Sequence, residues 1–446
     1  MKKADVVVVG GSAAGVTAAI TSRRHYPDKS VLLVRKENQV LIPCGIPYIF
    51  GTVGKPDKNL IPDAVLEKNN IEFMVMRVSG LEPEKHLLAT DKGEEIAYDK
   101  LVLATGSLPI KPPIPGIDKK NIFAVEKDVD YLQQVLDALE SARDLLIVGC
   151  GFIGVELAEE CKKNRNINIT IVEMMRHCLM LTYDREFAIN AENALREKGI
   201  NILGEEKVVE FLGNGKVEKV RLSSGKEIKV DLVLMGIGAS TNTEPARSAG
   251  LEIGPTKGIL VNRYMQSSDP NIFACGDCAE KVSFFDGKPS PLKLASIATM
   301  EARLAGANLF ETRRVNMGVI GIFSTLIGDS VFAAAGLTET SAKQMGYNTV
   351  VGEAEAPNRH PAGMPGMENM KVKLVFEKGS GGILGGQISG ARSGGELINA
   401  LSACIHHRMT ADEMATFQLG THPALTASPI SYQLTNAAEM AIMKMR

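Results

Sequence analysis

The chain has 446 residues, 45% hydrophobic and 23% charged, with a formal net charge of −2 at pH 7. That length exceeds one ordinary hydrophobic core, so roughly two to four domains are expected. Near-neutral charge and scattered Lys and Arg exclude a global basic field for nucleic acid, and no apolar run reaches the ~18–20 residues of a membrane span.

The N-terminus runs straight into the apolar segment Asp5–Val9 without a cleavage-site pattern, so no signal peptide is expected. Next come Gly10-Gly11-Ser12-Ala13-Ala14-Gly15, an Ala-rich helical stretch and the strand Ser30–Val34. The same order recurs at Asp144–Val148, Gly149-Cys150-Gly151-Phe152-Ile153-Gly154, Val155–Lys163 and Asn168–Glu173. Each copy is one βαβ unit, and its continuous apolar strands imply a parallel sheet covered on both faces. Between the copies, Pro109–Gly116 holds four prolines in eight residues, which marks a domain crossing.

The second copy fits G-x-G-x-x-G without exception. Gly149 permits the tight turn, Gly151 lets backbone approach a pyrophosphate, and Gly154 lets helix pack on strand. The phosphates then meet free N–H groups at a helix N-terminus. Glu173 ends the next strand, where a carboxylate binds ribose hydroxyls and repels a 2′-phosphate, which favours NADH over NADPH. Arg176 and His177 follow closely and soften that preference, leaving NADPH as the alternative. The first copy departs twice: Ser12 stands at the middle glycine, and Arg35-Lys36-Glu37 occupies the place of the ribose acid. Glu37 is one substitute for that acid; a different contact of Arg35 with the adenosine portion is the other.

Two further strand-and-turn pieces assign FAD to the first site. They are Leu101–Ser107, carrying Thr105-Gly106, and Asn271–Ala279, carrying Gly276-Asp277. Asp277 stands where a carboxylate binds ribitol or ribose hydroxyls. Cys275 and Cys278 have C-x-x-C spacing, but no second Cys/His pair sits at zinc spacing, so no metal site is expected. Seven cysteines without paired spacing point to a reducing, cytoplasmic compartment, and Cys150, Cys161, Cys178 and Cys404 read as buried and inert. Beyond residue 315, Gly/Ala/Thr-rich alternation and short strands (Met370–Phe376, Ile383–Ile388) precede helical stretches at Gly395–His407 and Thr410–Phe417, an α+β portion without a dinucleotide signature.

Taken together these residues resemble the FAD-dependent pyridine nucleotide-disulfide oxidoreductases over nearly the whole chain. Leu41-Ile42-Pro43-Cys44-Gly45-Ile46-Pro47-Tyr48 resembles the single-cysteine branch, which holds coenzyme A-disulfide, persulfide and sulfur reductases, NADH oxidases and NADH peroxidases. The two-cysteine branch has C-x4-C, and Ile49 stands at that second position. The resemblance implies an α/β fold with two Rossmann-like dinucleotide-binding domains and a C-terminal α+β dimerisation domain. The implied limits are 1–115 and 241–318 for FAD, 116–240 for NAD, and 319–446 for a two-fold homodimer contact. It implies two electrons passing from the nicotinamide by way of FAD to Cys44, and then to a low-molecular-weight disulfide, persulfide or polysulfide. Coenzyme A-linked acceptors are favoured; dioxygen or a small electron-carrier protein is the alternative. It places Cys44 at a helix start, which favours the thiolate, and sets the helix from Ala295 against the flavin. Ala13 stands where the peroxidases and related oxidases carry a His, which weighs against peroxide cleavage. His422, in Thr421-His422-Pro423, resembles the acid/base His that other branches supply from the partner subunit, although the usual following Glu is missing. No rhodanese-like tail is expected.

Overall fold

The structure is a computed structural model that describes residues 1–445. It divides into two compact units. One comprises Met1–Pro112, Ala124–Ser141 and Gly238–Val319; the other comprises Pro113–Phe123, Ala142–Ile237 and the chain from Ile320 onward.

The first unit is built on a seven-stranded sheet. Strands Glu72–Val75, Val31–Arg35, Lys2–Val9 and Glu95–Leu103 run parallel in that order, and Ile272–Ala274 adds a further parallel strand beside Glu95–Leu103. Val6, Val7, Val8, Leu33 and Val34 are fully buried, because the sheet is covered on both faces as the unbroken apolar runs require. Helices Ala13–His25 and Ala295–Ala307 pack side by side. A Cβ on Gly306 would lie 2.7 Å from the Ala18 carbonyl oxygen, and the Tyr26 hydroxyl donates to the Ala307 carbonyl at 2.6 Å, so the two helix ends are locked together.

The second unit holds two large sheets and a small antiparallel one of Val208–Leu212, Lys219–Leu222 and Glu227–Lys229. In the first, Leu232–Met235, Asp144–Val148, Asn168–Val172 and Ile200–Leu203 run parallel. The second is antiparallel, in the order Ile322–Ile327, Ser330–Gly336, Ile383–Gly390, Asn369–Glu377 and Thr349–Pro357. Helices Gly394–His406, Ala411–Thr416 and Gln433–Met445 accompany it. The sequence reading missed the strand Thr349–Pro357 and the last helix. The former carries charge on one face, with Glu353 and Glu355 outward, and so lacks a long apolar run. Buried Asp184, directly before the helix Arg185–Glu197, ties that helix to the antiparallel sheet: it accepts from the Gln387 side-chain amide at 2.6 Å and lies 3.0 Å from the Lys373 ammonium. Burial alone would raise that carboxyl, but these bonds and the Lys373 charge hold it below the usual carboxylate range. No described helix is long and apolar enough to cross a membrane.

Candidate active site

The first Gly-rich turn follows Val9. Gly10 has φ +122°, and a Cβ there would lie 2.2 Å from the Ala104 carbonyl oxygen. A Cβ on Gly15 would lie 1.8 Å from the Gly10 carbonyl oxygen, so the helix can start against the turn only without a side chain. Ser12 is extended (φ −86°, ψ −168°), a conformation open to any residue, and its hydroxyl makes no capping bond to the helix. The middle position therefore tolerates serine while leaving the first-turn N–H groups for an anion.

Three more segments converge there. A Cβ on Gly276 would lie 2.9 Å from the Ala14 Cβ and 3.4 Å from the Ala298 Cβ, which brings the Gly276-Asp277 turn against the first turn and the helix starting at Ala295. Ser107 donates to Asp277 at 2.7 Å, joining that turn to the Thr105-Gly106 segment, where the Thr105 hydroxyl donates to the Asn242 carbonyl at 2.6 Å. The helix starting at Ala295 has no side-chain cap, and its first turn has no acidic residue. Sequence reading missed the pair that fixes this corner. Glu301 is fully buried, accepts from the Gly276 N–H at 2.8 Å and lies 3.3 Å from the buried Lys281 ammonium. Lys281 donates in turn to the Gly276 carbonyl at 2.6 Å. Burial pushes the Glu301 carboxyl up to about 7, against the pull of Lys281. A Glu at mid-helix and a Lys past the turn carry no local signal of such pairing.

Arg35 does not stand open at the strand end. Its side chain is 2% exposed, bidentate to Asp63 at 2.6 and 2.9 Å, with the guanidinium 4.7 Å over the Phe73 ring. Its stem runs under Gly11, where a Cβ would meet the Arg35 Cδ at 2.6 Å. Lys36 pairs loosely with Glu37 at 3.8 Å. Uncapped amides, turn glycines packed on backbone and the Asp277 carboxylate fit a dinucleotide such as FAD.

Cys44 lies in the 3-10 turn Pro43–Gly45, directly before the short helix Ile46–Ile49, and is exposed. The turn is fixed from beneath by buried Asn59, whose side-chain amide donates to the Ile42 carbonyl at 2.9 Å and whose own carbonyl accepts the Ile42 N–H at 2.9 Å. A Cβ on Gly45 would strike the Asn59 Oδ1 at 2.0 Å, so the residue after the cysteine must be glycine. Cys275 and Cys278 are by contrast fully buried, and burial pushes both thiols up.

The second turn has the geometry that its three glycines require. Gly149 has φ +97°, Gly151 faces open space where a Cβ would meet nothing within 4 Å, and a Cβ on Gly154 would lie 1.9 Å from the Gly149 carbonyl oxygen. Glu173 reaches back to the turn: one oxygen accepts from the Cys150 N–H at 2.6 Å and the other from the Met175 N–H at 2.8 Å. Phe152 stacks on Phe323 at 5.1 Å, and Ile153 is exposed. Glu156, two residues past Gly154, went unnoticed in the sequence. Burial pushes its carboxyl up to about 7 although the Thr325 hydroxyl donates to it at 3.2 Å.

The reading of Cys150 and Cys178 as separate inert thiols is corrected. Both are buried, their Cα atoms are 4.8 Å apart, and they form a disulfide. A separation of 28 residues hid the pair; the chain after Glu173 doubles back so that the Leu179 N–H donates to the Cys150 carbonyl at 2.9 Å.

His422 is exposed on the loop before the last helix. With no following Glu, a backbone group orients its ring. The Ala424 N–H donates to Nδ1 at 3.2 Å, which leaves the proton of the neutral ring on Nε2. Thr426 closes the loop by accepting the His422 N–H at 3.0 Å, and the His360 Nδ1 lies 3.1 Å from the Thr426 carbonyl oxygen.

Two Gly-rich turns on parallel sheets, with an exposed cysteine on the first unit, define a flavin- and nicotinamide-dependent oxidoreductase. The chain belongs to the pyridine nucleotide-disulphide oxidoreductases: the family model matches residues 4–302, and the model of the family's dimerisation domain matches residues 322–430. It is 31% identical to an NADH oxidase of Methanocaldococcus jannaschii, over 98% of this chain and 99% of the relative. It is 32% identical to a CoA-dependent NAD(P)H sulfur oxidoreductase of Pyrococcus furiosus, over 88% of this chain and 89% of the relative. Among solved structures, an NAD-dependent persulfide reductase from A. fulgidus matches with a TM-score of 0.91 and 32% identity, covering 98% of this chain and 83% of the other. The protein is an enzyme, and its cofactors are FAD and NADH or NADPH.

Proposed function

We propose that the protein uses NADH to reduce a low-molecular-weight disulfide, persulfide or polysulfide, with coenzyme A-linked species favoured, through Cys44. The observation that carries this reading is the exposed Cys44 on a turn braced by Asn59, with Ile49 at the place of a second redox cysteine. The likeness to sulfur and persulfide reductases supports the same acceptor class. Bound FAD would supply the transfer of two electrons from hydride to sulfur. It would be held by Gly10, Gly11, Ser12, Ala13, Ala14, Gly15, Thr105, Gly106, Gly276, Asp277 and the helix start at Ala295, with Lys36 at the adenosine end and Arg35, sealed by Asp63, supporting Gly11 from beneath. Gly149, Gly151, Phe152, Ile153, Gly154 and Glu173 would hold the nicotinamide nucleotide.

On this reading the Cys44 thiolate attacks one sulfur of the acceptor, forming a mixed disulfide and expelling a thiolate. Two electrons then cleave the mixed disulfide, restore the Cys44 thiolate and release the second thiolate. His422, supplied across a two-fold interface, steadies the leaving thiolate with its Nε2–H hydrogen bond and passes it a proton only from the imidazolium form, which gives up the Ala424 bond. Exposed Leu425, Ile430, Met440 and Met443, in and beyond the matched dimerisation domain, suit burial in a homodimer. We place the enzyme in the cytoplasm, where nicotinamide reductant is supplied.

Turnover of the holoenzyme with NADH against coenzyme A disulfide, polysulfide and dioxygen tests the proposal. Cys44→Ser should reduce its flavin with NADH yet turn over no disulfide, because a hydroxyl forms no mixed disulfide. His422→Ala should slow only acceptor reduction, by roughly 10²–10⁴-fold. Sulfur reduction by Cys44→Ser at the normal rate would discard the thiol route. NADH oxidase is the second reading, favoured by the near full-length likeness to such an enzyme; rapid dioxygen turnover with negligible disulfide turnover would install it.

A further inference from the structure

We propose that Cys150 and Cys178 form a thiol–disulfide site that sets the affinity of the enzyme for its nicotinamide nucleotide. Cys150 lies inside the second Gly-rich turn, and its N–H is bound by Glu173. Cys178 lies in the segment that follows Glu173, and its N–H is bound by buried Glu192 at 2.8 Å. The disulfide therefore ties the phosphate side of the nucleotide site to its ribose side. Across that tie the backbone is held by one further bond, from the Leu179 N–H to the Cys150 carbonyl, and Leu179 itself has φ +59°, a conformation that costs a leucine energy. With the cysteines reduced, this segment loses its covalent anchor and the strained residue can relax. Leu179 and Tyr183 on the same segment are buried, whereas Met174 and Leu181 are 64% and 88% exposed, so apolar packing holds the segment at its far end and leaves the part next to Glu173 to the disulfide and the backbone bonds.

The redox step balances with an external disulfide as oxidant. One thiolate of the pair attacks a sulfur of R–S–S–R and expels RS⁻; the second displaces the remaining RS⁻. The two cysteines together lose two electrons and two protons, and R–S–S–R becomes two thiols. Both sulfurs are buried, so exchange proceeds when the segment opens. If the tie favours nucleotide binding, then by linkage bound nucleotide favours the tie by the same factor. An excess of disulfide acceptor thus raises nucleotide affinity when there is substrate to reduce; this choice of oxidant rests on the proposed acceptor class, while the tie itself does not.

The test uses Cys44→Ser holoenzyme, which keeps acceptor turnover out of the measurement. Samples are treated with glutathione disulfide or with dithiothreitol and freed of reagent. Thiols are then counted after denaturation, and NADH affinity is read from the concentration dependence of flavin reduction. The disulfide-treated sample should show two fewer thiols, a Cys150–Cys178 cross-linked peptide by mass spectrometry, and NADH binding tighter by about fivefold or more. Cys178→Ser and Cys178→Ala in the same background should show one affinity under both treatments. Equal thiol counts, equal affinities, or a redox response that persists in both Cys178 variants would each overturn the proposal. If the wild-type enzyme reduces no disulfide but the two samples still differ, the acceptor reading falls and the tie stands.

Discussion

The two Gly-rich turns are one device set to two tasks. In both, the first glycine donates its N–H to the end of the next strand at 2.8 Å, Gly10 to Val34 and Gly149 to Val172, and in both the last glycine packs on the carbonyl of the first. The residue that follows this acceptor then differs in sign. Arg35 is sealed by Asp63 beneath Gly11, whereas Glu173 turns its carboxylate onto the Cys150 N–H. The second position of each turn follows from this: a long stem below demands glycine, and a short carboxylate leaves room for cysteine. Backbone geometry thus makes the phosphate cradle, while the side chain at the strand end decides what surrounds it.

The sharpest way to break the comparison is to put a methyl group at the last glycine of each turn. Gly15→Ala and Gly154→Ala each set a Cβ less than 2 Å from a backbone oxygen, at 1.8 and 1.9 Å. Overpacking against backbone that cannot yield costs about 1–3 kcal/mol or more. Gly15→Ala should purify with much of its yellow colour lost. Gly154→Ala should stay yellow and need a far higher NADH concentration for flavin reduction. Flavin content by absorbance and stopped-flow reduction separate the two, and the reverse pattern would exchange the assignments of the turns.

A smaller effect tests the strand-end residue. Glu173→Ala removes the acceptors of the Cys150 and Met175 N–H groups and a negative charge that would repel a 2′-phosphate. NADH should bind more weakly by roughly 1–3 kcal/mol, or about 10–100-fold, and the ratio of kcat/KM for NADH over NADPH should fall. A wild-type enzyme that already prefers NADPH would show that Arg176 outweighs Glu173.

Sequence revealed the turns because their glycines answer local demands of backbone, and local demands leave local spacing. The family resemblance put Cys44 at a helix start, and it lies in the turn directly before one. Long-range pairings left no such trace. Cys150 and Cys178 are 28 residues apart, and Asn59 supports the Cys44 turn from 17 residues beyond Ile42. Lys281 and Glu301 are the plainest case, since either residue alone reads as a solvated charge, and only the packed corner at Gly276 shows both buried.

The smallest predicted effect lies where the turns differ in titration. Two residues past the last glycine, the first turn has Thr17 and the second has Glu156. Burial raises the Glu156 carboxyl from its ordinary 4.5 to about 7, with Glu160 nearby adding to the rise and the Thr325 hydroxyl opposing it. Such a carboxyl holds its proton more tightly in the folded chain than in the unfolded one. Its contribution to stability is therefore full below about pH 4.5 and is lost as pH rises toward 7, because the unfolded chain can ionise where the fold resists. Gln has the shape of the protonated acid and no proton to lose. Glu156→Gln should match the wild type at pH 4 and exceed it at pH 8 by about 1–3 kcal/mol, as thermal unfolding of the two holoenzymes would read out. A gap of equal size at both pH values would mean that Glu156 does not titrate in this window, and the difference between the turns would then rest on Glu173 alone.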